Sequence, residues 1–398
     1  MNYGRIGPLA RYFAAASLAR GADAGAAVGL VLLAVNEPAL THPEAVGGLL
    51  AAGLTAPHLL GPWLARRLDQ ARDSRYYLAA AFVLFGLALA GATLLLGRAP
   101  LPVVLAATVL AGACGPLLTG GLSSRVAGIC GPELRARRRG EGWDSVSYGV
   151  AGTAGPAGVA ALSAITNPVT ALLLLGLSAF LAAVVTLTLP RETVDGEASA
   201  EAATVRSVLL LLLRHGPLRR VNYATMMTAF SAGGTTIIAV LLSTELTGRP
   251  DGGATLMAMF GVGNLIGSLI VTAFPVRGEP EILTTWYVAL VGFTTALCAV
   301  APTYTVALAL FVLNGMSNAP FVTATFAARS QYAPPTARAQ VFVTMASVKV
   351  AAASAGAAAA GSLTLLGARG LPAAAAAVVV LGAALTVLDR HLSPRGRA

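Results

Sequence analysis

Apolar runs long enough to cross a lipid bilayer follow one another from end to end of this chain, and they decide the class of fold. A hydrocarbon core of roughly 30 Å needs about 20 residues of helix, because each backbone polar group there must be satisfied within its own segment. Twelve such runs are marked off by Pro, Gly and short charged loops. They lie at 9–35, 45–67, 76–97, 101–128, 143–166, 168–190, 218–246, 253–275, 282–301, 303–331, 338–366 and 371–389. With 56% hydrophobic and 11% charged residues among 398, no sizeable stretch remains for a soluble domain. The expected fold is an all-α polytopic membrane protein, its twelve transmembrane helices forming two pseudo-symmetric six-helix bundles.

Arginine sets the expected orientation, since short loops rich in positive charge stay on the cytoplasmic side. Arg66, Arg67, Arg72 and Arg75 follow the second run, and Arg135, Arg137, Arg138 and Arg139 the fourth; Arg191, Arg206, Arg214, Arg219 and Arg220 follow the sixth. The opposite loops carry only Arg98, Arg249 and Arg369. Twelve spans satisfy that alternation and place both termini in the cytoplasm, with the chain in the plasma (inner) membrane. Residues 191–217 form the longest break. It begins acidic with Glu192, Asp195, Glu197 and Glu201, then turns amphipathic from Val205 to His215, too short to span and suited to lying along a membrane surface. The expected division is a bundle at 1–190, this linker at 191–217, a second bundle at 218–390 and a cytoplasmic tail at 391–398.

The net charge of +10 is dispersed among the loops, without the aromatic-interleaved groove that nucleic acid requires. Cys114, Cys130 and Cys298 lack disulfide or zinc spacing. Gly261-Val-Gly-Asn-Leu-Ile-Gly267 spaces its glycines wrongly for a dinucleotide loop and lies inside a span, and the chain has no phosphate-binding loop of the ATPase kind. No cofactor, no metal and no enzymatic activity are expected. The expected partners are the bilayer, protons and a small-molecule substrate, and the working unit is a monomer.

Charges inside the apolar runs are costly unless they face a partner or a wet cavity, so each is a candidate site. Arg20 and Asp23 lie three residues apart on one face of the first run. They read either as a self-neutralising pair or as a site in which Asp23 carries a proton while Arg20 holds its pKa and binds an anionic group. Lys349, the chain's single lysine, stands near the middle of the eleventh run, as a substrate charge or a buried lock. Together these three leave one net positive charge at mid-depth, which favours a substrate with an acidic group. His58, after Pro57 in the second run, is either a proton relay with Asp23 or a histidine bonded to a neighbour.

The halves echo each other. Gly112-Ala-Cys-Gly-Pro116 with Arg125 recurs as Met316-Ser-Asn-Ala-Pro320 with Arg329, 204 residues on, and Thr153-Ala-Gly155 recurs as Ser354-Ala-Gly356, 201 on. Such repeats are the plan of many secondary transporters. The fifth run holds Gly149, Gly152, Gly155, Pro156 and Gly158, small residues that let helices approach closely.

Six plus six spans, both ends inside and a central linker resemble the major facilitator superfamily over nearly the whole chain. The loop Ala65-Arg-Arg-Leu-Asp69-Gln-Ala-Arg72-Asp-Ser-Arg75 is similar to that family's motif after span two, with Asp69 and the arginines in place but Ala65 and Gln70 departing from it. The Gly152, Gly155, Pro156, Gly158 series resembles the span-five motif of the drug:proton antiporter branches. Those branches often carry an arginine inside span four. Ala107 to Gly115 has none, which leaves Arg20 with Asp23 as the substitute for proton coupling. The resemblance implies that spans one, four, seven and ten line the cavity, adding Asn222, Ser231, Asn314 and Asn318 as polar lining. It implies proton-driven export of a small organic molecule by alternating access, with import of a small organic anion as the alternative.

Overall fold

The computed structural model describes residues 6–191, 204–249, 252–275 and 277–392. The acidic part of the expected linker, within 192–203, and the tail at 393–398 lie outside the described residues. Helix occupies every expected span. The first six are Ile6–Val35, Pro43–Thr55 continued by Gly61–Asp69, Ser74–Leu95, Leu101–Pro116 continued by Val126–Cys130, Leu134–Ile165 and Pro168–Leu187. The last six are Gly216–Gly233 with Thr235–Thr247, Gly252–Ala273, Pro280–Ala299, Tyr304–Tyr332, Arg338–Ser362 and Gly367–Leu392. The amphipathic part of the linker is the helix Val205–Arg214, with Val208 and Leu212 buried.

Among the described residues, nine helices are long and apolar enough to cross a membrane, ten if the seventh span, bent by 42° between its two pieces, is counted whole. The other two fall short for reasons visible in the sequence. Pro57 turns the middle of the second span into a 3-10 segment, Ala56–Leu60. The fifth helix starts four arginines outside its apolar stretch and is then rich in glycine. Leu87, Trp286, Phe293 and Leu381 stand exposed on helices of this kind. Large apolar side chains turned outward suit lipid, and the chain is a multi-pass membrane protein.

Three spans cap their own first turn. The Asp73 side chain accepts from the Arg75 amide at 3.1 Å, Asn167 from the Thr170 amide at 2.8 Å, and Thr303 from the Val306 amide at 3.3 Å. Each satisfies a backbone donor that the helix start would otherwise leave open.

The chain divides into two compact units. One comprises the residues up to Gly140 with Ser147–Val205 and Pro335–Ser347; the other comprises Glu141–Val146, Arg206–Pro334 and the residues from Val348 onward. In the first, span three packs on four and six, span one on two and six, and span two on four. In the second, span nine packs on ten and twelve, span seven on eight and twelve, and span eight on ten. Adding six to every number turns one scheme into the other, so the two bundles are pseudo-symmetric. Alanine dominates the buried surface of the first, around Tyr12, Phe82, Phe85 and Leu89. Small side chains bring the helices close and leave van der Waals contact to hold them.

Candidate functional site

The first unit encloses the charges of span one. Arg20 is 2% exposed, and its guanidinium is surrounded by polar groups drawn from three spans. It donates to the Ser147 hydroxyl, to Ser123 Oγ at 2.9 Å and to Tyr12 Oη at 3.3 Å, while the Tyr148 ring lies 3.8 Å from its central carbon. A desolvated contact of that last kind is worth about 2 kcal/mol. Tyr12 reaches it because it stands two turns earlier on the same helix face. The fourth span supplies a carbonyl. After Pro116 its helix widens into a π turn, Leu117–Gly121, and the Thr119 carbonyl accepts from Arg20 at 3.2 Å.

Asp23 takes a different partner. Asp23 Oδ2 lies 3.9 Å from Nε2 of His58. The two side chains are 16% and 7% exposed. That distance is too long for a direct hydrogen bond and short enough for a charge on either group to act on the other. His58 is carried on the 3-10 break of span two and packs against Gly115 of span four, where a Cβ would collide with its ring and come within 3.2 Å of Asp23 Oδ1. An acid and a base, both largely buried and electrostatically coupled, can hold and release a proton at mid-span.

The span-five series divides on inspection. Gly155 is buried where the fifth helix crosses Gly21 and Gly25 of the first; a Cβ there would meet the Gly21 carbonyl at 2.5 Å. Gly152 and Gly158 have nothing within 4 Å of an added Cβ, and the helix Leu134–Ile165 continues through Pro156. One glycine of the series therefore makes the close approach near the Asp23 site.

In the second unit the polar residues are tied to one another. Asn314 donates to Thr294 Oγ1 at 3.2 Å and Thr295 Oγ1 at 2.8 Å on span nine, and Asn318 donates to Asn264 Oδ1 at 3.1 Å on span eight. Asn222 and Ser231 are buried on span seven. Lys349 is exposed, about halfway along the helix Arg338–Ser362. Where spans seven, nine and twelve meet, Arg220 binds both carboxylate oxygens of Glu281 at 2.7 and 3.2 Å and also Asp389 at 3.2 Å. Arg390 shares Glu281 at 2.7 Å, and Arg219 binds Asp389 at 2.7 Å.

Among the described residues no three His, Cys, Asp or Glu side chains are grouped to hold a metal, and the three cysteines are buried and not joined in disulfides. No protein-family pattern matches the chain, and no curated protein matches its sequence. Solved structures do. The human organic anion transporter MFSD10 (TETRAN) aligns over 96% of this chain and 99% of its own, with a TM-score of 0.78 at 17% identity. The proton:xylose symporter XylE, of the major facilitator superfamily, aligns over 98% and 96%, at 0.70 and 14%. The E. coli fucose:proton symporter FucP aligns over 96% and 99%, at 0.72 and 14%. The fold is that of the major facilitator superfamily.

Within that fold the loop after span two is held by its acidic residues. Asp69, just beyond the expected end of the span, accepts from the amides of Ala339 and Gln340 at 3.0 and 2.9 Å, inside the first unit. Burial pushes its carboxyl up to about 7 despite these two donors. Arg72 is exposed. The paired charge of the loop is Asp73, bound by Arg75 at 2.7 Å and 3.6 Å from Arg191; the Arg75 contact holds its carboxyl below the usual range. Arg125 donates to the Ser74 hydroxyl and to the Pro190 carbonyl at 2.7 Å, and Arg329 is buried with its guanidinium 5.5 Å from the Phe326 ring.

Sequence reasoning missed Tyr12, Ser123, Ser147, Tyr148, Gly115, Asp73, Asn264 and the Arg220–Glu281 network. Tyr12 alone was findable, from its helical spacing to Arg20. The others become partners only through pairings of helices distant in sequence.

Proposed function

We propose that this chain is a proton-coupled secondary transporter of the major facilitator superfamily. It exports a small organic molecule across the plasma membrane by alternating access of its two halves. The observation that carries the reading is the Asp23–His58 pair, an acid and a base 3.9 Å apart inside a membrane bundle. Asp23 takes up and releases the proton, and His58 shares it. Arg20, fixed by Tyr12, Tyr148, Ser123 and Ser147, places a positive charge one turn from Asp23 on the same helix. Asn222 and Lys349 offer substrate contacts, while Asn314 and Asn318 spend their amide donors holding span ten against its neighbours. Export rests on the span-five resemblance to drug:proton antiporters.

Import of a small organic anion is favoured by one observation, the position of Lys349 as an exposed residue halfway along span eleven. Accumulation of labelled dyes, antibiotics and organic anions in an efflux-deficient host separates the two. Reduced accumulation, reversed both by an uncoupler and by Asp23→Asn, is the expected result. Raised accumulation of an anion would replace export by import. Full gradient-driven transport by a folded Asp23→Asn protein would overturn the proton role.

A further inference from the structure

The internal repeat is exact enough at one crossing to act as the chain's own control. Where span two meets span four, the Leu54 carbonyl covers Gly112, His58 covers Gly115, and Gly61 meets Pro116. Where span eight meets span ten, the Phe260 carbonyl covers Gly315, Asn264 bonds Asn318, and Gly267 meets Ala319. In all three contacts the first partners are 206 residues apart and the second partners 203 apart. The contact register therefore differs by one residue from the 204 suggested by Pro116 and Pro320. Cys114 and Ser317, also 203 apart, both donate back to the carbonyl four residues earlier, Leu110 and Leu313.

Spans one and seven can be matched in the same way. Gly155 meets Gly21 and Gly25, and Gly356 meets Phe230 and Gly234, offsets of 201 and 209. That register sets Ala229 opposite Arg20 and Ala232 opposite Asp23. Every charged or titratable member of the first crossing thus has a neutral counterpart in the second: alanines for Arg20 and Asp23, an asparagine for His58. Gly115 is the compensating change. An imidazole fits at this crossing only if its neighbour has no side chain, whereas two asparagines fill the same space by bonding each other.

We propose that Gly115 is the positioning residue that admits a titratable imidazole beside Asp23, and that the Asn264–Asn318 pair is its non-titrating equivalent, confining the proton site to the first repeat. This inference rests on the reading of Asp23 and His58 as the proton-carrying pair. The groups facing the imidazole are Asp23 on span one and Gly115 on span four. The Cys114 thiol is within reach of the Asp23 charge, and Arg20 lies one turn from Asp23.

The test is an NMR titration of labelled histidine in the full-length protein in detergent micelles. The chain has four histidines, so the His58 signal is assigned by its loss in His58→Asn. In wild type, Asp23→Asn is expected to move the His58 midpoint by about one unit or more. In Gly115→Ala the midpoint is expected to differ from wild type and to lose its response to Asp23→Asn. An unchanged midpoint with an unchanged response would overturn the proposal. Should Gly115→Ala fail to fold, thermal stability decides: Gly115→Asn is expected to be destabilised and His58→Asn/Gly115→Asn to recover, since the double variant rebuilds the second-repeat pair. A double variant no more stable than Gly115→Asn would refute the equivalence. These readouts need no transport, so a transporter that proves independent of protons would sink the functional reading while leaving the His58–Gly115 relation to be judged separately.

Discussion

Neutralising Glu281 should cost this protein far more than neutralising Glu245, although both carboxylates pair with an arginine at close range. Glu281 has a side chain 4% exposed, and it is shared by Arg220, 2% exposed, and Arg390. Three guanidinium groups, counting Arg219, here meet two carboxylates. Glu281→Gln leaves Asp389 alone to balance all three. Removing one member of a buried ion pair typically costs about 3–5 kcal/mol, because the surviving charge stays desolvated. At roughly 2–4 °C per kcal/mol for domains of this size, that is about 6–20 °C in Tm. Glu245 binds Arg369 at 2.6 Å, but the two are 41% and 38% exposed, and Arg369 keeps the Ala299 and Ala301 carbonyls. Such a pair is worth about 0–1 kcal/mol, so Glu245→Gln should lower Tm by less than about 4 °C. Tryptophan fluorescence during thermal unfolding in detergent measures both. Equal losses, or none for Glu281→Gln, would refute the argument that burial sets the cost.

Gly155→Leu should prevent the first and fifth spans from closing and abolish folded protein on size-exclusion chromatography. Gly152→Ala and Gly158→Ala, with open space around them, should be tolerated or gain about 0.5–1 kcal/mol from helix propensity. The buried Asp69 carboxyl holds a proton to about pH 7 when folded and to about pH 4 when exposed. The folded state therefore binds more protons between those values, and the stability of wild type relative to Asp69→Asn should fall as pH rises from 4 to 7, then level off. A difference that is flat or rising with pH contradicts that. Arg20→Lys should lose function despite keeping the charge, because an ammonium cannot lie over Tyr148 while donating to Tyr12, Ser123, Ser147 and the Thr119 carbonyl. Wild-type transport by that variant would show that only the charge matters. Lys349→Ala should change which anions compete for transport, and unchanged competition would remove Lys349 from the substrate path.

The fold was legible because hydrocarbon leaves so few choices: run length and the Pro–Arg echo both follow from local composition. The charged positions were legible too, since Arg20, Asp23 and Lys349 stand out against alanine. Their partners were not. Whether Asp23 meets Arg20 or His58 depends on how spans one, two and four cross, and spacing along one helix holds no information about the next. The same limit explains Gly152, Gly155 and Gly158, alike in sequence yet different in packing, since of these three only Gly155 falls at a crossing. The register of the repeat slipped by one because two prolines align in sequence while the contacts align a residue earlier. Asn264 was passed over because it sits in a glycine run that first invited comparison with a nucleotide loop.

The self-capped starts of spans three, six and ten bear on how the protein is made. A segment leaving the translocation machinery enters lipid before the spans that follow it have been synthesised. Asp73, Asn167 and Thr303 each close an amide of their own first turn with a side chain already present in the nascent segment. Those three spans therefore carry into the bilayer one first-turn amide whose satisfaction depends on no other span.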